Sequence, residues 1–155
     1  SKLYMEDAGD MTVSTIRAKA RKLARKGLDM IVVDYCQIVR PEDARIPREQ
    51  QVASITWGLK ALAKELKIPV IMLSQVNRNA DQTNQCPKLS DLADSDRVGR
   101  DADVVLMLWK KINDKGDDEI FIEVAKQRNG RLGPVELEFM ASKQKFKEKI
   151  TSSLH

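Results

Sequence analysis

The sequence predicts an α/β fold, a mainly parallel sheet with flanking helices that is extended by a C-terminal antiparallel hairpin. Two continuous apolar runs, Met30-Ile31-Val32-Val33 and Val70-Ile71-Met72-Leu73, each give way to polar residues. Such runs suit strands buried on both faces of a parallel sheet. A long stretch with apolar residues at helical spacing joins them, as a crossover between parallel strands requires. Further on, Ile120, Ile122 and Val124 alternate with Glu119, Phe121 and Glu123, and Val135, Leu137 and Phe139 alternate with Glu136 and Glu138. The link Asn129-Gly130-Arg131-Leu132-Gly133 supplies turn residues, so these segments form a hairpin.

Taken in order, residues 3–5 are expected to be a short strand before the polar break Glu6-Asp7-Ala8-Gly9-Asp10. A helix starts near Thr12 or Ser14, either of which can cap the first amides. Val13, Ile16, Ala20 and Leu23 share one face, and Arg17, Lys19, Arg21, Lys22, Arg25 and Lys26 cover the rest. That basic face reads as solvated exterior more readily than as a phosphate site. Gly27 closes the helix. Residues 40–47, with Pro41 and Pro47, form a loop before a helix from Arg48 to Leu66, whose stripe is Val52, Ile55, Leu59, Leu62 and Leu66. Trp57 lies off that stripe and is expected to pack in the core from the other side. Residues 76–90 are polar and irregular, Leu89–Leu92 form a short turn, and Asp103–Trp109 form another strand. A domain over residues 1–141 is expected, with 142–155 a Lys-rich, partly disordered tail.

The 155 residues suffice for one domain with a real core. Hydrophobic residues at 42% and charged residues at 32% exclude a disordered chain, and the apolar runs are too short for a membrane span. Cys36 and Cys86 are too few for a disulfide framework, and with the one histidine, His155, they form no metal set. A reduced, cytoplasmic setting follows. The first residues lack the layout of a signal peptide and a starting Met, so a processed chain or an excised piece is expected. The net charge of +4 is compatible with a nucleic-acid partner.

In open α/β sheets, ligands bind beyond the carboxyl ends of the strands. Here one strand ends in Asp34 and another in Ser74 and Gln75. An acid in that position can hold a nucleotide-bound Mg²⁺, directly or through water, and a neighbouring Gln can bond a terminal phosphate or orient attacking water. Alone, Asp34 reads equally as a helix cap or loop bond. Lys126 and Arg128 fall on one side at the tip of the hairpin strand, placed to reach a phosphate on a neighbouring subunit or simply to solubilise the turn.

Together these segments resemble one family. Asp34-Tyr35-Cys36-Gln37-Ile38 is similar to the Walker B element of DnaB-type replicative helicases, where Leu is usual at the place of Cys36. Leu73-Ser74-Gln75-Val76-Asn77-Arg78 resembles their third motif, and Leu59-Lys60-Ala61-Leu62-Ala63-Lys64-Glu65-Leu66 the helix before it. Asp101-Ala102-Asp103-Val104-Val105 and Ala125-Lys126-Gln127-Arg128-Asn129-Gly130 match later segments, the last being the most particular to the family. The likeness runs in order from about Tyr4 to Phe139.

The resemblance implies a partial RecA-like core from the ATP-hydrolysing motor of a hexameric DNA helicase. It implies that Asp34 holds the Mg²⁺ of ATP, that Ser74 and Gln75 contact the nucleotide with Gln75 sensing the γ-phosphate, and that Lys126 and Arg128 act in trans on the ATP of the adjacent subunit. It places contacts with single-stranded DNA at Arg78, Asp94, Arg97 and Arg100, and it makes sister subunits, primase and loader proteins the expected partners. In the family's channel loop the Asp-Leu pair is commonly followed by Arg and Glu and shortly by Gly. Here Asp91-Leu92 is followed by Ala93, Asp94, Ser95 and Asp96, which leaves Arg97 and Arg100 to compensate. No stretch matches G-x-x-x-x-G-K-[ST], the loop whose amides and Lys cradle phosphates. The isolated chain is therefore expected to be inactive. The alternatives are a non-catalytic RecA-like interaction module, or a recombinase-type or circadian-clock ATPase core.

Overall fold

The computed structural model describes residues 2–77, 84–92 and 96–149, with the side chains of 96 and 97 left aside. They form two compact units. The first holds residues up to Gln75 together with a short helix ending at Asp101. Helix α1 spans Val13–Ala24 and is capped by Thr12, whose hydroxyl accepts from the Thr15 amide. Strand β1 is Ile31–Val33, helix α2 is Arg48–Leu66, and strand β2 is Val70–Met72. β1 and β2 pair in parallel, Ile31 with Val70 and Val33 with Met72. Helix α3, Asp96–Asp101, packs on α2 and buries Val98.

The packing follows the periodicity of the chain. On α2, Val52, Ile55, Leu59 and Leu62 are buried, and Val33, Val39, Ile55 and Leu59 form a core against which Val13, Ile16, Ile31, Val70 and Met72 pack. Each such side chain contributes about 1.5–3 kcal/mol by leaving water. Thr56, also buried, donates its hydroxyl to the Val52 carbonyl at 2.9 Å and so leaves no orphan polar atom. Gly58 is where the helices close up, because a methyl there would stand 2.6 Å from Val13 Cγ1. Gly58→Ala should therefore lower the melting temperature: overpacking of about 1–3 kcal/mol exceeds the roughly 1 kcal/mol that Ala adds to a helix interior. A variant as stable as the parent in thermal unfolding would show that Val13 moves aside freely. The basic face of α1 is partly tied down. Arg17 and Arg21 pair with Glu65 of α2, and Lys19 pairs with Glu6. The hydrogen bond from Arg21 holds the Glu65 carboxyl below its ordinary range.

The second unit is a four-stranded antiparallel sheet in the order β3-β4-β5-β6. Its strands are β3 Val104–Ile112, β4 Asp118–Gln127, β5 Gly133–Met140 and β6 Lys145–Glu148. The register places Leu108 opposite Ile122 and Ile122 opposite Val135, so apolar residues line up across strands. Lys126 pairs with Val105 but Val124 pairs with Leu106, which leaves Ala125 as the extra residue of a bulge. Trp109 and Phe121 stack with ring centroids 4.8 Å apart.

The α/β class holds, with a parallel pair and an antiparallel part. Several finer expectations are corrected. Residues 3–5 form no strand, and Leu3 and Met5 are 83% and 86% exposed, since an apolar triplet without a partner strand has no ladder to join. β1 and β2 bury one face only: Val32 is 53% and Ile71 49% exposed. The run from Val104 belongs to the antiparallel sheet, so that part is larger than a hairpin. α3 was not anticipated, because a helix this short shows almost no periodicity and depends on packing. Trp57 is 67% exposed rather than in the core. Within the expected tail, residues 145–148 form β6, held to β5 by the Phe139–Phe146 ring contact at 4.6 Å and by Lys149 bonded to Glu136.

Candidate functional site

The parallel pair explains why the strand-end residues gather. β1 and β2 run in the same direction with Val33 beside Met72, so the residues that follow each strand emerge at one edge. The ladder continues past the strands, because the Leu73 amide donates to the Val33 carbonyl at 2.9 Å and the Cys36 amide to the Leu73 carbonyl at 2.9 Å. Asp34 sits between these two rungs with its side chain exposed, and the Asp34–Tyr35 peptide is cis. Cys36 is fully buried where the family usually carries Leu, acting as a small apolar residue with its thiol on the Gln37 side-chain oxygen at 3.2 Å. Gln37 then donates through Nε2 to Ser74 Oγ at 3.2 Å. This bond ties the turn after β1 to the end of β2. Gln75 follows, exposed. Asp34, Ser74 and Gln75 thus share the carboxyl edge of the sheet, with Asp34 and Gln75 open to a ligand.

The donor set suits a Mg²⁺-bound nucleotide in one respect. Among the described residues no cluster of three or more His, Cys, Asp or Glu could hold a metal, so this chain offers the carboxylate of Asp34 alone. Mg²⁺ commonly takes one or two carboxylates and fills its shell with water and phosphate oxygens. The phosphate cradle itself has no counterpart in the sequence.

The hairpin cations belong to the second unit. Lys126 is half-buried beside the bulge, and β4 ends at Gln127, so strand alternation does not set the direction of Arg128. An ion pair does: Arg128 Nε lies 3.1 Å from Asp103 Oδ1, with the two side chains 60% and 55% exposed. The Gln127 side chain folds over Gly130, where an added Cβ would meet Gln127 Nε2 at 2.3 Å. Any side chain at 130 would force that amide to swing away. Sequence reasoning missed Asp103 as the counterion and Gln37 as the bridge. Both lie in the quoted motifs, but neither contact has a sequence signal.

Of the expected DNA contacts, Arg78 and Asp94 lie outside the described residues, and of Arg97 only the backbone, in α3, is described. Arg100 is exposed on the last turn of α3. Both cysteines are free thiols. Among the described residues no helix is long and apolar enough to cross a membrane.

Residues 1–148 match the family model described as the DnaB-like helicase C terminal domain. The chain is 41% identical over 151 residues to the replicative DNA helicase DnaB of Geobacillus stearothermophilus, covering 93% of this chain and 33% of that protein. It is 39% identical over 155 residues to the replicative DNA helicase DnaC of Bacillus subtilis (strain 168), covering 94% of this chain and 34% of that protein. The chain therefore spans about a third of the length of the curated relatives it matches. Among solved structures, an isolated ATPase domain superimposes with a TM-score of 0.83 at 33% identity, over 90% of this chain and 52% of that one. A DnaB-like replicative helicase, solved in a study of its interactions with primase, gives 0.80 at 32% identity, over 88% and 34%. With a family match over nearly its whole length, the chain belongs to the DnaB-like helicase C-terminal domains.

Proposed function

We propose that this chain is part of the ATP-hydrolysing motor of a hexameric replicative helicase that translocates on single-stranded DNA and unwinds duplex DNA. The observation that carries this reading is the gathering of Asp34, Ser74 and Gln75 at the carboxyl edge of a parallel pair in a DnaB-like domain. In this reading Asp34 holds Mg²⁺, whose chemistry is to neutralise phosphate charge and orient the nucleotide. Ser74 and Gln75 bond the nucleotide, and Gln75 senses the γ-phosphate. Lys126 and Arg128 serve the ATP of the neighbouring subunit, where their charge stabilises what develops on the transferring phosphoryl group. Arg78, Asp94, Arg97 and Arg100 face single-stranded DNA, gripping its backbone largely without reading sequence. Sister subunits, primase and loader proteins are the partners, and the cytoplasm is the setting.

The purified 155-residue chain is expected to show no Mg-ATP turnover, because it lacks the loop that cradles the phosphates. Transplanted in place of the matching segment of the Geobacillus stearothermophilus DnaB, it is expected to restore DNA-stimulated ATP hydrolysis and unwinding. A chimera that forms hexamers yet hydrolyses no ATP would refute the motor reading and leave the chain a non-catalytic module. Turnover by the isolated chain would refute its dependence on a phosphate loop.

A further inference from the structure

β3 is an edge strand with an unusual exposed side. Only β4 flanks it, and its residues from Val104 to Ile112 are mostly apolar. The direction of its backbone groups follows from two separate facts. Pro134 of β5 lies opposite Glu123 and has no N–H, which identifies that pair as one that exchanges no ladder bonds. Glu123 therefore turns its backbone toward β3, where it opposes Met107, and the alternate residues of β3 turn theirs away. Independently, both the amide and the carbonyl of Ile112 are taken by the Asn84 side chain, at 2.7 and 3.0 Å, which shows that Ile112 faces outward. Leu106 and Leu108 share its parity. Their N–H and C=O groups point to the open edge, with no strand on that side among the described residues.

The side chains at these positions are exposed as well. Leu106, Leu108 and Ile112 are 57%, 61% and 56% exposed. With Ile122, Leu137 and Phe146, the two leucines line a shallow apolar groove of about 260 Å³ on the face of the sheet. Soluble proteins blunt such edges with charge, proline or short length. Here Lys110 is the one outward charge on a nine-residue strand.

We propose that the edge and exposed face of β3 dock an apolar strand from the complementary half of a DnaB-like ATPase domain. Coverage identifies the occupant: this chain superimposes over 90% of its length on the solved ATPase domain described above yet accounts for 52% of it. About half of such a domain is thus unmatched, and it must cover what this half leaves open. The parallel pair independently shows the same need, since Val32 and Ile71 lie bare on its outer face whereas parallel sheets are normally covered on both. The identity of the occupant rests on the motor reading above. The open edge does not.

The test is to co-express the 155-residue chain with the unmatched half of that solved ATPase domain, then measure association by sedimentation and amide hydrogen exchange residue by residue. A 1:1 complex is expected, with exchange at Leu106 and Leu108 slowed at least about tenfold. Leu108→Pro removes an outward N–H without touching a bond to β4, so it should abolish association while the β4 amides stay protected. Leu106→Lys should do the same through the exposed face. Failure to form the complex, or a complex indifferent to both substitutions, would overturn the proposal. So would dimers of the chain alone that protect the same amides, since a second copy would then be the occupant. ATP turnover separates the two readings. Docking at β3 without turnover overturns only the motor reading, and turnover without protection at β3 overturns only the docking.

Discussion

Arg128→Ala in the chimeric motor is expected to lower ATP turnover by on the order of 10³-fold or more, with nucleotide affinity little changed. The asymmetry follows from when the guanidinium acts. A positive charge aimed at the transferring phosphoryl group interacts most strongly where charge develops, so its loss falls on kcat rather than on ground-state binding. Folding should hardly register the change. The bond Arg128 makes to Asp103 joins side chains 60% and 55% exposed. Exposed pairs are worth at most about 1 kcal/mol. Arg128→Lys keeps the charge but loses the planar fork and should fall between. Asp103→Asn probes the same arm from the other side: releasing the counterion should leave turnover within a few-fold of the parent, because a phosphate competes with Asp103 for Arg128 in either case. Single-turnover kinetics with thermal unfolding on the same samples would decide. An Arg128→Ala motor with normal kcat removes the residue from catalysis.

The second large effect concerns the fold. Leu62→Ala is expected to destabilise the chain by about 2–5 kcal/mol, a large share of the roughly 5–15 kcal/mol typical of a whole domain. Leu62 is fully buried on α2, so its removal loses transfer energy and leaves a cavity that a close-packed helix face fills poorly. Trp57→Ala, on the same helix, should change stability by only about 0.5 kcal/mol despite deleting a far larger side chain. Trp57 is 67% exposed and gives up little on truncation. Urea unfolding of both variants tests the contrast. If the tryptophan variant loses more, then α2 buries a different face.

That contrast also marks what periodicity can and cannot convey. The stripe Val52, Ile55, Leu59, Leu62 is visible as spacing, and those residues are the ones buried. Trp57 was expected in the core because it is large and apolar, yet it stands among the exposed Ser54 and half-buried Lys60 and Ala61. Side-chain character misled where spacing did not. At the candidate site, Asp34, Ser74 and Gln75 were legible because polar residues after a buried run mark the ligand edge of a parallel sheet. The bond from Gln37 to Ser74 and the Asp103–Arg128 pair were not, since each joins residues whose proximity exists only after folding.

The linear pattern carried the class of fold, the extents of α1 and α2, the paired strands β1 and β2, and the hairpin of β4 and β5. Each depends on interactions between near neighbours or on the parity of a single segment. Partner choice is a different kind of fact. Whether the run from Val104 joins a parallel or an antiparallel neighbour, whether Lys145–Glu148 finds β5, and whether Val32 and Leu108 end up covered depend on which other surfaces compete for them. A strand's alternation says that it has two sides. Only the folded chain decides what lies against each, and here it leaves the outer edge of β3 and one face of the parallel pair without a neighbour among the described residues.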